Sequence, residues 1–93
     1  MHLLRYRTRT DIMSDVLKTA NGGGVGATKT RIMYKAFLSF RQTKEYLGVL
    51  TENNLLNYDA YTQTFETTEK SLRFLDAYNQ MSDVTKTQQI PQW

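Results

Sequence analysis

Apolar residues recur at helical spacing in four stretches of the chain, and between the third and the fourth the pattern changes to strand-like runs. Ile12, Met13, Val16, Leu17 and Ala20 share one face of a helix predicted over about Arg9–Ala20. Thr8 followed by Asp11 has the form of a capping box at its start, and Asn21-Gly22 supplies the stop. Thr28 caps a second, shorter helix whose apolar face is Ile32, Met33 and Ala36, with Phe37 at its end. Phe37-Leu38 is the turn, and Ser39 caps a third helix over about Phe40–Asn53. At about 100° per residue, Phe40, Thr43, Tyr46, Leu47 and Leu50 line its inner side. Its outer side carries Arg41, Glu45, Gly48 and Glu52, flanked by Gln42 and Lys44.

Asn53-Asn54 ends that helix, and two strand-like runs follow, Leu55–Tyr58 and Thr62–Thr67, joined by a turn at Asp59–Tyr61. Thr68 then caps a fourth helix with a broad apolar stripe of Leu72, Phe74, Leu75, Tyr78 and Met81. The pattern divides the chain into a basic arm (1–7), one domain (8–82) and a polar segment (83–93) that reads as a flexible tail, with Pro91 breaking any helix there. No internal repeat is visible.

Ninety-three residues without cysteine allow one small domain and exclude disulfides, thiolate metal sites and cysteine nucleophiles. The only histidine, His2, lies at the terminus, so no Ser/His/Asp triad or zinc-hydroxide chemistry is legible. No catalytic residues, metal ligands or cofactor are expected, and an enzyme is not. No run reaches the roughly 20 apolar residues of a membrane span, and Met1–Arg5 has no signal-peptide core, so the expected location is cytoplasmic. Residues 22–26, Gly-Gly-Gly-Val-Gly, are the one glycine cluster, with Lys29 and Thr30 close behind. In a phosphate-binding loop the lysine directly follows the last glycine, whereas here Ala27 and Thr28 intervene. The cluster reads as a flexible helix–helix connector.

The net charge of +3 is unevenly spread. Residues 1–50 hold nine Lys and Arg against three acids, a net of +6, while residues 51–93 hold three against six, a net of −3. A polarised molecule of this kind suits a polyanion on one side only.

The block Thr28-Lys-Thr-Arg-Ile-Met-Tyr-Lys-Ala36, then Leu38-Ser39, then Tyr46-Leu47 and Leu50, resembles an archaeal winged helix-turn-helix family. So does Thr68 with the run Ser71-Leu-Arg-Phe-Leu-Asp-Ala-Tyr78. The family contains small DNA-binding proteins of the Sulfolobus chromatin type and archaellum-regulator-like proteins. The resemblance spans roughly residues 5–81 and agrees with the order helix, helix, helix, two strands, helix. It implies an α+β, mostly α fold: three helices, a two-stranded wing and a C-terminal helix. It also implies binding to double-stranded DNA, a role in transcription regulation, and dimerisation through the last helix. Two positions depart from the family pattern: Phe37 stands where asparagine is usual, and Thr43 where an apolar residue is usual. Family members with a coiled coil also have a longer last helix.

In such a fold the third helix enters the major groove with its first residues nearest the bases. That assigns Ser39, Arg41, Gln42 and Glu45 to base edges, arginine suiting guanine and glutamine adenine. Thr28, Arg31 and Lys44 suit phosphates, and Tyr61 and Gln63 at the wing suit the minor groove or backbone. Leu72, Leu75, Tyr78 and Met81 form the candidate dimer interface. Arg5, Arg7 and Arg9 either track phosphates or solubilise the terminus. Arg41 and Glu45 can equally form an ordinary i,i+4 pair. The alternative function is a winged-helix protein–protein interaction module without DNA binding; a third is nonspecific packaging of DNA.

Overall fold

The computed structural model describes residues 7–22 and 25–89, with side chains as far as Met81. Met1–Tyr6 lie outside the described residues, and Arg5 of the expected arm with them; so do Gly23 and Gly24. The elements are α1 (Arg9–Asn21), α2 (Lys29–Lys35), α3 (Phe40–Glu52), β1 (Leu56–Asp59), β2 (Thr64–Thr67) and α4 (Glu69–Gln89).

Each of the first three helices begins at the cap that its sequence supplies. Thr8 Oγ1 accepts from Asp11 N while Asp11 Oδ2 accepts from Thr8 N, both at 3.0 Å, so two otherwise orphaned donors are satisfied at the start of α1. Thr28 Oγ1 accepts from Arg31 N at α2, and Ser39 and Gln42 form a second reciprocal box at α3. The helices bury Val16, Leu17, Ala20, Ile32, Ala36, Tyr46, Leu47 and Leu50 against Leu38, Leu55, Leu56 and Leu75 in one core. Phe40, placed by periodicity on the inner side of α3, is instead 61% exposed, because the first turn of α3 overhangs the core; Lys29 Nζ lies 4.7 Å from its ring centre. Thr43 is fully buried where the family pattern has an apolar residue. Its Oγ1 donates to Ser39 O at 2.8 Å, so the hydroxyl is satisfied within the helix and the methyl faces the core.

Both ends of the helix-turn-helix close in Schellman motifs. At α2, Phe37 N donates to Tyr34 O and Leu38 N to Met33 O; at α3, Asn54 N donates to Thr51 O and Leu55 N to Leu50 O. The motif requires a left-handed residue, and Phe37 (φ 55°) and Asn54 (φ 60°) occupy that position. Asparagine tolerates it; phenylalanine does so at a cost of about 1 kcal/mol.

The wing is an antiparallel hairpin with Leu56 opposite Thr67 and Tyr58 opposite Phe65. The two rings meet at 4.8 Å, a cross-strand pair that stiffens the ribbon. β1 begins one residue later than its sequence run, and β2 is two residues shorter than its own. Asp59 Oδ1 accepts from Tyr61 N, and Asp59 O accepts from Gln63 N at 2.7 Å, which draws residues 60–63 into the turn. The glycine-rich connector is not slack at its end. Ala27 and Phe65 exchange backbone hydrogen bonds at 3.0 and 2.8 Å, so the connector docks on β2 beside the hairpin. Gly26 has φ 81°, and a Cβ there would lie 3.0 Å from Phe65 O and 3.1 Å from Thr64 Oγ1.

α4 packs on α1 through Leu75 and through Tyr78, whose hydroxyl donates to Asp11 Oδ1 in the capping box of α1. It then continues to Gln89, into the segment expected to be a flexible tail. Polarity ends a buried face, not a helix; residues 83–89 contain no glycine or proline, and the first breaker is Pro91.

The two left-handed positions make opposite predictions. Gly26→Ala is expected to cost at least about 1–2 kcal/mol, since both the backbone angle and the β2 contact oppose it. Phe37→Gly is expected to stabilise by roughly 1 kcal/mol, because the 82% exposed ring contributes little burial. Urea midpoints of the two variants check both signs.

The Tyr78 bond also predicts a pH profile. That bond, with the backbone bond from Thr8, holds the Asp11 carboxyl below its ordinary value, while Asp11 and burial push the Tyr78 hydroxyl up. A depressed carboxyl stabilises the fold above its unfolded pKa and loses that contribution as pH falls through the folded value. A raised phenol does the reverse at the alkaline end. The contribution is therefore complete from about pH 4 to pH 10. Tyr78→Phe should lower the plateau and flatten the loss below pH 4, as read by thermal melts across pH.

Candidate nucleic-acid interface

The surface in question is built by α3, the start of α2 and the hairpin. α3 presents Arg41, Gln42, Lys44, Glu45, Gly48 and Glu52 to solvent, as its periodicity predicts. The Arg41–Glu45 pair does not form: among the described residues the ion pairs are Arg7–Asp15 and Arg73–Glu69. Arg41 thus has no partner among them, and its guanidinium donors face outward. Gln42 is different. Its Oε1 accepts from Ser39 N at 3.0 Å and its own backbone N donates to Ser39 Oγ at 3.1 Å. Its Oε1 already spends one lone pair on the cap, so bidentate reading of adenine would compete with the capping box for this side chain. Ser39 is likewise committed to the cap.

Beside α3, Thr28, Lys29 and Arg31 form the exposed start of α2, and Tyr61 stands 96% exposed at the tip of the hairpin. Gln63, exposed at φ 59°, completes the turn. Lys29, Lys44, Arg31 and Arg41 are the cations of this surface, with Glu45 and Glu52 the acids of α3 and Asp59 and Glu66 those of the hairpin.

Arg7 and Arg9 are engaged elsewhere. Arg7 pairs with Asp15 at 3.0 Å and donates to Ala36 O at 2.7 Å and Phe37 O at 3.2 Å. It thereby ties the start of α1 to the carbonyls of the turn between α2 and α3. Arg9 lies over the Tyr46 ring, 5.1 Å from its centre. The candidate dimer stripe is also divided. Leu75 is buried in the domain's own core and Tyr78 is bonded to α1, whereas Leu72 and Met81 are 43% and 70% exposed.

Residues that spacing did not single out enter through the tertiary fold. An open cleft of about 470 Å³ separates α3 from the hairpin. Leu47, Tyr58 and Phe65 floor it, Lys29 and Lys44 edge it, and Gly48 forms part of the helical wall. Glycine inside a helix costs about 1 kcal/mol relative to alanine. A Cβ at Gly48 would meet nothing within 4 Å, so no contact inside the protein requires glycine there.

Among the described residues no cluster of metal-ligating side chains occurs, and no helix is long and apolar enough to cross a membrane.

The architecture has solved counterparts. Sso10a-2, a DNA-binding protein from Sulfolobus solfataricus, is similar with a TM-score of 0.74 at 22% identity, over 87% of this chain and 84% of that one. The M. tuberculosis transcriptional regulator MosR is similar with a TM-score of 0.61 at 16% identity, over 92% of this chain and 65% of that one. At these identities the likeness is one of fold. No curated protein matches in sequence. The model of the winged helix-turn-helix family matches residues 6–86, nearly the whole chain, in agreement with the resemblance carried by the Thr28–Ala36 block. With its three helices, hairpin wing and C-terminal helix, this chain belongs to the winged helix-turn-helix family.

Proposed function

We propose that this protein is a DNA-binding transcriptional regulator, non-enzymatic, with α3 laid in the major groove of double-stranded DNA. The observation that carries the reading is Arg41, exposed and unpaired on the first turn of α3, where a recognition helix meets base edges. Arg41 reads guanine bidentately, and Glu45, one turn on, accepts from a cytosine amino group. Lys44, Arg31 and the amides near Thr28 hold phosphates, while Ser39 and Gln42 keep α3 capped. Tyr61 and Gln63 reach the minor groove or backbone from the hairpin turn. The names of the two similar structures, a DNA-binding protein and a transcriptional regulator, agree with this assignment.

A homodimer through α4 goes with it. Leu75 and Tyr78 serve the protein's own core and α1, so the pairing face is Leu72 and Met81.

A second reading, a protein-interaction module, is favoured by the aromatics Tyr34, Phe37 and Phe40, exposed at 70%, 82% and 61% around the α2–α3 turn.

Titrating duplex DNA by fluorescence anisotropy at several salt concentrations separates these readings. Affinity should fall steeply as salt rises; no binding at low salt overturns the regulator. Arg41→Ala should weaken the preferred site by roughly 1–3 kcal/mol and relax preference at one base pair. Uniform weakening on all sequences would remove its base-reading role. In sedimentation, Leu72→Glu should shift a dimer toward monomer; a wild type that stays monomeric at tens of micromolar (about the range of weak dimers) overturns the α4 pairing.

A further inference from the structure

We infer that Gly48 is a clearance on α3: it lets a sugar–phosphate strand of the duplex, running through the cleft between α3 and the hairpin, lie against the helix. This deepens the regulator reading and rests on it. A helix in the major groove and a hairpin tip in the flanking minor groove have one DNA backbone between them, because the grooves are separated only by backbones. The cleft is the gap between those two elements.

Its chemistry matches a nucleic-acid strand. The floor of Leu47, Tyr58 and Phe65 is apolar, as suits the face of a deoxyribose, and Tyr58 is half exposed there. Lys29 and Lys44 at the edge supply charge for phosphates. Lys44 has no ion-pair partner among the described residues, and Lys29 rests over the Phe40 ring, 4.7 Å from its centre, on the side facing α3. Glu52, one turn beyond Gly48, is the acid of the lining and marks where the strand leaves the helix.

Gly48 is the second, independent sign. The fold leaves the space above it empty, so a side chain there would be tolerated in the protein alone and would favour the helix. A residue that the isolated protein does not require opens α3 toward an external backbone.

The test is a pair of variants, Gly48→Ala and Gly48→Leu, assayed for melting temperature and for affinity to the preferred duplex. Both should melt higher than wild type, by roughly 4 °C or more. Affinity should drop about tenfold for alanine and a hundredfold or more for leucine. Lys29→Gln and Lys44→Gln should each lower the salt slope of binding by about one. Stability rising while affinity falls supports the seat. Wild-type affinity in Gly48→Leu overturns it and leaves the regulator reading standing, whatever else the cleft accepts. A wild type that binds no duplex at low salt overturns both.

Discussion

The turn between α2 and α3 governs what this molecule can present. Ala36 and Leu38 are buried on either side of Phe37, so the chain reverses within a residue and leaves the ring in solvent. Phe37 accepts a left-handed backbone because the Schellman bonds to Tyr34 O and Met33 O, together with the buried neighbours, outweigh the local cost. Arg7 then holds the next two carbonyls of the turn, Ala36 O and Phe37 O, from outside and fastens them to Asp15 on α1. An α3 tilted differently would withdraw Thr43, Tyr46, Leu47 and Leu50 from the core.

Around this turn the domain ties distant segments through short polar links rather than through a large core. Tyr78 reaches the capping box of α1, and Thr68 Oγ1 and Lys70 Nζ satisfy Asn54 O and Asn53 O at the end of α3. Ala27 joins the hairpin through its backbone. A chain of this size buries too little apolar surface to fix element positions by packing alone. The caps do double duty, ending helices and joining them.

The same economy shapes the outer surface. Gln42 illustrates the competition: a side chain that suits adenine is also the partner that completes the cap of α3, and in the folded chain the cap holds it. Arg41, without such a partner, keeps its donors outward. Gly48 represents the converse, a position where the fold gains nothing and an external ligand gains room.

Local chemistry made the helices legible in the sequence. Caps at Thr8, Thr28 and Ser39 and the 3.6-residue spacing of Val16, Leu17, Ile32, Leu47 and Leu50 depend on neighbours within a few residues, so the starts of α1, α2 and α3 and most of the core could be read directly. The exposed face of α3 followed from the same periodicity. What only the tertiary structure decided were matters of partners far apart in the chain. Arg7 looks like any terminal arginine until α2 is folded beside it, and Tyr78 and Leu75 look like a dimer stripe until α1 covers them. Gly26 reads as slack until β2 is packed so that a Cβ there would lie only 3.0 Å from Phe65 O. The cleft joins Lys29, Gly48 and Tyr58, which no spacing rule connects. Periodicity states which side of an element is apolar; only the packed chain states what that side, or its opposite, meets.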